Sequence, residues 1–444
     1  MWSEAIGLAA SSAPSGATAS SSKRAPDSFV TDKPWGLRLC HELGLDEALL
    51  STNPQHRRSF VVRGRKLVPV PEGFSLLGPS KLWPFAMSPL FSLPGKWRAL
   101  RELTVPRRIS TDDESVAAFV RRRFGDEVFE RLAEPMVRGI ASDDPAQLSM
   151  QALLPQFVEM ERRYGSLIKA LRARARSAPA STAGTSGPRY SLFTSFRDGM
   201  QTFIDRLATV AAPCIQRGVG ATGLSRDALT GQWQVALSDG RVVAADAACL
   251  TLPSHRAARL VRDLDEPLAQ ELQGIVYASW ITMSFAFRRA DVAHPLTGFG
   301  FVVPAAEGLP LSGCTFSHAK FPGRAPEGTV LLRAFVRDDD RRAGFARSDE
   351  EHAASALRVL RPLVGIRGAP LLSAVYRAPR ALPQYHVGHL ARIAAIEERL
   401  TRHPGLVVAG NAYHGHGVTA CIGTAEQAAA RLYDHVRART PVHA

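Results

Sequence analysis

The chain has few cysteines and lacks any long hydrophobic run. Its five cysteines are far apart in 444 residues and none forms a Cys-x-x-Cys pair, so neither a structural zinc site nor a disulfide framework is expected. No stretch approaches the roughly 18–20 consecutive apolar residues of a spanning helix, which argues against an integral membrane protein. Scattered thiols of this kind are typical of the reduced core of a cytoplasmic protein.

Acidic residues are in the minority. The chain has 55 lysines and arginines against 41 aspartates and glutamates, which gives a formal net charge of +14. The basic residues are spread along the chain without a zinc-finger spacing, an aromatic RNA-binding motif or a basic zipper, so we do not expect nucleic-acid binding. An anionic membrane surface and an anionic substrate remain open, beside the alternative that a GC-rich genome favours arginine codons.

Motifs of several large enzyme classes are also missing. The sequence has no P-loop and no Gly-x-Ser-x-Gly nucleophile elbow, so kinase and hydrolase chemistry lacks its usual residues. The chain does contain 45% hydrophobic residues, enough for about two or three packed regions.

The pattern of apolar residues predicts a mixed α/β protein. A basic helix is expected over residues 156–176, and an exposed loop rich in small residues over 177–188. An Asp-Gly pair at 239–240 predicts a hairpin turn. Apolar runs predict a buried parallel strand and three strands of a second sheet, at residues 247–253, 275–288, 299–303 and 329–336.

The segment most indicative of function is LVVAGNAYHGHGVTACIGTAEQ at residues 406–427. An apolar strand ends at Gly410, the following Gly415 and Gly417 permit a close backbone approach, and a helix is expected from about Thr424. The free N–H groups at the start of that helix would face an electron-rich oxygen, which suits a flavin's pyrimidine edge or a phosphate.

Three other features have both a functional and a structural interpretation. His414 and His416 could bind a metal, but no carboxylate or cysteine accompanies them, so we interpret them as loop residues. Arg57 and Arg58 could hold a carboxylate or be surface charges. Phe321 could pack on a flat ligand, although an aromatic residue before proline more often belongs to the core.

Residues 1–25 differ from the rest in being rich in alanine and serine. They lack the apolar core of a secretory signal, and basic residues suited to a transit peptide appear only at Lys23 and Arg24. We interpret the segment as an out-of-frame translation or a disordered tail. One permitted choice of codons, read two bases later, encodes VERSDRLGGVIRTERRDGFLIEAG, a strand-like peptide that leads directly into Pro26.

The chain from Pro26 onward resembles the protoporphyrinogen oxidases of the flavin amine oxidase superfamily. The segments that carry the resemblance, in order, are PDSFVTDKPW (26–35), RRSFVVRGRKLVPVP (57–71), EPMVRGIASDDPAQLS (134–149), FGFVVPAAEG (299–308), FPGRAPEG (321–328), PQYHVGHL (383–390) and AGNAYHGHGVTACIGTAEQAA (409–429). The resemblance implies a p-hydroxybenzoate-hydroxylase-like α/β fold with three regions. The FAD-binding domain would comprise 26–52, 189–266 and 386–444, the mixed-sheet substrate domain 53–80 and 267–385, and the helical membrane-contacting domain 81–188.

The resemblance also implies an activity. The family oxidises protoporphyrinogen IX to protoporphyrin IX in haem biosynthesis, a six-electron reaction that uses FAD and O₂, and some bacterial relatives prefer coproporphyrinogen III. It implies a cytoplasmic enzyme, peripheral on the inner face of the cell membrane, with a homodimer among its expected assemblies. The alternatives are another flavin amine oxidase-type dehydrogenase and an inactive porphyrin-binding remnant. The chemistry is mostly the flavin's, so no catalytic acid or base and no metal are expected.

Site residues follow by matching motifs. Arg58 matches the arginine that pairs a substrate propionate, and Gly139 matches a glycine close to the flavin ring. The other matches are substrate-flanking apolar residues at Val302, Val303 and Phe321, and FAD contacts at Ala221, Thr251, Gly410, Asn411, Gly417, Val418 and Thr419.

The sequence departs from the family in three places. Ala420 replaces a usual aspartate, and Ser142-Asp143-Asp144 replaces a usual Gly-Asp-Pro. The first Rossmann strand and helix, with the Gly-x-Gly-x-x-Gly that binds the FAD pyrophosphate, are not found in this sequence. The out-of-frame peptide resembles the family's next segment. For the chain as written we therefore expect weak FAD retention and little activity.

Overall fold

The computed structural model describes residues 26–176, 193–337 and 343–439. The expectations for residues 1–25 and for the loop over 177–188 lie outside these ranges. None of the helices in the described ranges is long and apolar enough to cross a bilayer.

The strands form four sheets in the described part of the chain. In chain order they are β1 (Phe29–Val30), β2 (Leu49–Ser51), β3 (Phe60–Arg63), β4 (Lys66–Pro69), β5 (Phe193–Phe196), β6 (Ala221–Arg226), β7 (Trp233–Leu237), β8 (Val242–Ala245), β9 (Ala248–Leu250), β10 (Tyr277–Arg288), β11 (Gly300–Val302), β12 (Leu311–Phe316), β13 (Thr329–Val336), β14 (Leu372–Pro383) and β15 (Leu406–Val408).

Helices cover the sheets and form a layer of their own. They are α1 (Trp35–Glu42), α2 (Leu82–Met87), α3 (Leu93–Leu100), α4 (Val116–Phe124), α5 (Asp126–Val128), α6 (Glu134–Ala141), α7 (Met150–Leu153), α8 (Pro155–Tyr164), α9 (Leu167–Arg176), α10 (Gln201–Ala211), α11 (Ser254–Val261), α12 (Glu266–Gln273), α13 (Ser317–Lys320), α14 (Ala343–Ala346), α15 (Asp349–Val364), α16 (His389–Leu400) and α17 (Val418–Arg439).

The largest sheet has seven strands in the order β14-β10-β13-β12-β11-β3-β4. Strands β14, β10 and β13 form an antiparallel trio at one end of this sheet, and β11 pairs with β3 in parallel, so the sheet is mixed. The strands β10 and β13 are almost continuously buried, as expected where both faces of a sheet are covered. The three strands predicted for a second sheet are confirmed.

A second, parallel pair lies elsewhere in the fold. Strands β9 and β15 run side by side, with Leu250 opposite Val408. The strand predicted at the start of the 406–427 segment is confirmed, but the helix after it starts at Val418 and not near Thr424. Because parallel strands end at the same edge, the turns that follow β9 and β15 lie next to each other.

The predicted helix over 156–176 is wrong in one respect. Gly165 adopts the left-handed conformation (φ +68°) and ends α8, and α9 starts two residues later. The buried Glu102 carboxylate accepts from the backbone N–H groups of Leu167 (2.7 Å) and Ile168 (3.2 Å), so a distant side chain satisfies the start of α9. It also forms a fully buried ion pair with Arg123.

We predict that Glu102→Gln lowers the free energy of unfolding by about 3 kcal/mol, because the buried Arg123 guanidinium then loses one of its two carboxylate partners and keeps only Glu161, at 3.3 Å. The measurement is urea unfolding, with Glu159→Gln on the exposed face of α8 as the control, expected to change it by less than about 0.5 kcal/mol. Equal stability of the two variants would contradict the structural role of the pair.

Candidate active site

The site begins where β9 and β15 end. The Ala409 N–H donates to the Leu250 carbonyl at 3.1 Å, which extends the parallel pairing to the last residue before the turn. Gly410 has φ +129°, and a Cβ atom there would lie 4.0 Å from the Thr251 carbonyl oxygen. Thr251 and Gly410 therefore stand side by side at one sheet edge, the usual position of ligands in open α/β sheets.

The turn after β15 is held by one phenol group. The Tyr385 hydroxyl donates to the Asn411 carbonyl (2.8 Å) and accepts from the Gly415 N–H (2.6 Å). Its ring lies between those of His389 and His416, with centroid distances of 4.0 and 3.9 Å. Tyr385, which follows β14 of the large sheet, thus holds the turn at both Asn411 and Gly415.

Helix α17 leaves this turn with its N-terminus at the site. Its second residue, Thr419, donates through Oγ1 to the Val30 carbonyl at 2.5 Å. At Gly423 a Cβ atom would lie 2.5 Å from the Trp35 ring, so the absence of a side chain lets α17 pack closely on α1. The first backbone N–H groups of the helix therefore have a fixed direction, which suits an electron-rich oxygen.

A cavity of about 450 Å³ separates the turn from the large sheet. Its lining comes from the start of the described chain, from α6, from the turn after β9, and from β10, β13 and β14. The residues of the lining used below are Asp27, Gly139, Thr251, His255, Arg256, Trp280, Arg333, Tyr376, Arg380, Gly410, Asn411, Tyr413, His416 and Val418.

Buried polar atoms in this lining indicate a polar ligand. Within the described ranges, His255 Nδ1, the Tyr413 hydroxyl and His416 Nε2 are buried and have no hydrogen-bond partner. Burial lowers the pKa of both histidines to about 4, aided at His255 by the charges of Arg380 and Arg256, so both rings are neutral at pH 7. Unsatisfied buried groups of this kind cost about 1–3 kcal/mol each unless a ligand pairs them.

Open space around two glycines fits a flat ligand. A Cβ atom at Gly139 on α6, or at Gly417 in the turn, would meet no atom within 4 Å. Together with the helix N-terminus and the unpaired polar atoms, this space fits the isoalloxazine of FAD, a flat ring with one polar edge. Thr251, Gly410, Asn411 and Val418 are placed to hold it.

The charge of the cavity is positive. Three guanidinium groups line it, those of Arg256, Arg333 and Arg380, against the single carboxylate of Asp27. Arg256 and Arg380 are exposed to solvent, whereas Arg333 is only 6% exposed. The lining therefore favours a ligand with carboxylate groups.

The structure brings some sequence-predicted residues together and separates others. Gly139, Thr251, Gly410, Asn411 and Val418 line the cavity, and Gly417 and Thr419 lie in the same turn and helix start. Five predicted residues lie outside this lining. Arg58 and Ala221 are exposed, Val302 is the last residue of β11, and Val303 follows it. Phe321 is buried and lines a smaller cavity, which Arg333 also lines. The functional roles assigned to all of these residues, inside and outside the lining, stay predictions. His414 lies in an exposed pair with Glu397 (3.1 Å).

Sequence reasoning missed several residues of the lining. Arg333 lies in a strand whose residues are nearly all buried, so no alternation of polar and apolar positions marks it. Trp280 and Tyr376 come from β10 and β14 and meet edge to face at 5.7 Å. For the region around Tyr385, the sequence offered only the PQYHVGHL segment, which contains this tyrosine but predicted no role for it.

Comparisons with known proteins agree with this geometry. The sequence model of the family "Flavin containing amine oxidoreductase" matches residues 24–433. A coproporphyrinogen III oxidase from Propionibacterium freudenreichii is 35% identical over 94% of this chain and 83% of its own length. The chloroplastic protoporphyrinogen oxidase 1 of Spinacia oleracea is 30% identical over 90% of this chain and 72% of its own length.

The fold is also similar to that of a solved structure. A protein from Exiguobacterium sp. 255-15, provisionally named a protoporphyrinogen oxidase, superposes with a TM-score of 0.78 at 28% identity, covering 93% of this chain and 87% of that one. The expected FAD-binding α/β fold with a mixed sheet is thus confirmed. The chain belongs to the flavin-containing amine oxidoreductase family and is an FAD-dependent oxidoreductase.

Proposed function

We propose that this protein oxidises coproporphyrinogen III to coproporphyrin III in haem biosynthesis, with FAD as cofactor and O₂ as the final electron acceptor. The observation that carries the proposal is the cavity itself. A turn and helix start suited to a flavin form one side, and a sheet with aromatic and cationic side chains forms the other. A flat macrocycle with carboxylate arms has the shape and charge that such a space accepts.

The charge of the lining favours coproporphyrinogen over protoporphyrinogen IX. Coproporphyrinogen III carries a propionate on every pyrrole ring, whereas protoporphyrinogen IX has two propionates and two apolar vinyl groups. Three arginines against one aspartate suit the more anionic substrate. The coproporphyrinogen III oxidase relative is also more similar in sequence than the spinach protoporphyrinogen oxidase.

The protein's part in the reaction is binding and orientation. FAD, when bound, supplies the chemistry by accepting a hydride in each two-electron step. Thr251, Gly410 and the start of α17 would hold the flavin, and the Trp280 and Tyr376 rings offer the macrocycle aromatic contacts. Closing the cavity with substrate excludes water from the reacting carbon. No side chain needs to act as acid or base.

Protoporphyrinogen IX is the second candidate substrate, because the spinach relative carries that name. An amine substrate, as in other flavin amine oxidases, is less suited to the lining, since a cationic amine would be repelled by Arg256, Arg333 and Arg380. A porphyrin-binding remnant without turnover would have the same cavity and is separated only by assay.

We predict that the FAD-loaded protein oxidises coproporphyrinogen III with a kcat/KM at least about tenfold above that for protoporphyrinogen IX, because more carboxylates meet the cationic lining. The measurements are porphyrin fluorescence and oxygen uptake, with putrescine as an amine control. Porphyrin binding without oxygen uptake, or preferential oxidation of putrescine, would contradict the proposal.

A second prediction uses the open space at Gly139. A Cβ atom at Gly139 meets no protein atom within 4 Å, so the leucine side chain of Gly139→Leu starts in open space, and leucine has the better helix propensity; the melting temperature should therefore stay equal or rise. The affinity for FAD or coproporphyrin, measured by fluorescence titration, should fall at least about tenfold because the space is taken. Gly220→Leu, also in open space but outside the cavity lining, is the matched control. Unchanged affinity in Gly139→Leu would place the ligands elsewhere.

We also propose peripheral docking on an anionic lipid surface through α2 and α3. Trp83, Met87, Leu93 and Trp97 are 64–80% exposed on these two consecutive helices. The packing of Phe85 on Phe91, with centroids 4.9 Å apart, holds the helices to one core. Basic groups accompany the apolar patch, with Lys96 on α3 and the Arg101 guanidinium 5.0 Å from the Trp97 ring centroid. Tryptophan beside basic residues is typical of a membrane interface.

The expected result is that Trp83→Ser combined with Trp97→Ser reduces binding to phosphatidylglycerol-containing vesicles at least about tenfold, because two large apolar rings no longer enter the interface. The assay is vesicle sedimentation, with Leu229→Ser, another exposed apolar residue, as the control. Binding that survives the double substitution would show that another surface docks.

A further inference from the structure

Arg333 is a buried cation in the middle of the large sheet. It lies on β13, opposite Ser284 of β10 on one side and Thr315 of β12 on the other. Although its residue is only 6% exposed, it lines the large cavity and also a small neighbouring one beside Phe321. A central strand supports it on both sides, so its position is fixed more firmly than that of a loop residue.

Aromatic rings surround the guanidinium group. Its carbon lies 5.9 Å from the Trp280 ring centroid and 5.7 Å from that of Phe335. Trp280 in turn meets Tyr376 edge to face, so the cation stands next to the aromatic pair that we assign to the macrocycle. A porphyrinogen bound here would place a propionate on the guanidinium group and its macrocycle against the aromatic rings.

Arg333 shares its surroundings with other cations. The Asp27 carboxylate lies 3.5 Å from Lys320 Nζ, and its charge also acts on Arg324 and Arg333. Burial lowers the pKa of Arg333 below its ordinary value, which is the cost of keeping this charge away from water. A ligand carboxylate would offset that cost.

We infer that Arg333 is a specificity-determining residue that binds one of the two propionates that coproporphyrinogen III carries where protoporphyrinogen IX has vinyl groups, and thereby favours the substrate with four carboxylates. The inference rests on the proposed function and adds a residue to it. Arg58, which motif matching assigns to a propionate, is exposed and outside the cavity lining, so the two arginines make competing predictions.

The test compares acid and ester forms of one porphyrin. Coproporphyrin III and its tetramethyl ester are titrated by fluorescence into the FAD-loaded protein and into Arg333→Met, Arg333→Lys, Arg58→Met and the exposed control Arg288→Met. In Arg333→Met the Kd for the acid should rise at least about tenfold while the Kd for the ester changes less than about twofold. Arg333→Lys should lie between, because it keeps the charge but loses the planar fork.

Kinetics separate this role from a structural one. In Arg333→Met the KM for coproporphyrinogen III should rise with kcat within about threefold, and the KM for protoporphyrinogen IX should change less. Equal losses for acid and ester, or loss of acid preference in Arg58→Met alone, would overturn the inference. If Arg333→Met fails to fold, an acid preference in Arg333→Lys equal to that of the unsubstituted protein would overturn it as well. Acid preference without oxidation of either porphyrinogen would refute the proposed function and leave this inference standing.

Discussion

The structure depends on the contact between Tyr385 and the turn after β15. This one residue touches all three parts of the molecule that form the cavity. Its hydroxyl joins Asn411 and Gly415, its carbonyl accepts from the Ser149 N–H (2.7 Å) in the helical layer, and it follows β14 of the large sheet. Burial raises the pKa of this phenol, so it stays protonated and can donate and accept at once. The flavin side and the substrate side of the cavity therefore keep a fixed separation.

The cavity lining combines neutral polar groups with guanidinium groups. Neutral groups at the turn, such as His416 Nε2, are suited to the dipolar edge of a flavin, while the arginines are suited to carboxylates. Burial of such groups costs stability in the free protein, since they lose their hydration. Such costs are typical of functional sites, and ligand binding would offset them.

Local features of this fold could be predicted from the sequence, and long-range ones could not. The turn of the β7–β8 hairpin is an Asp-Gly pair with Gly240 at φ +84°, a preference of the residues themselves. The end of α8 at Gly165 was missed because apolar spacing continues across it, and the group that satisfies the start of α9 is Glu102, far away in sequence. Arg333 was missed for a similar reason, since only strand pairing brings it beside Trp280 and the turn. Motif matching pointed to the turn after β15, which lines the cavity, because that turn is contiguous in sequence; its contact with a flavin stays a prediction.

We propose that one cavity holds a flavin and a carboxylate-bearing macrocycle in reacting contact. Anaerobic mixing of the FAD-loaded protein with coproporphyrinogen III, followed by stopped-flow absorbance, tests this proposal without steps that involve oxygen. We expect the oxidised flavin band to bleach in a single turnover whose rate saturates with porphyrinogen concentration. A flavin band that persists at saturating coproporphyrinogen III, in protein that demonstrably binds both molecules, would contradict it.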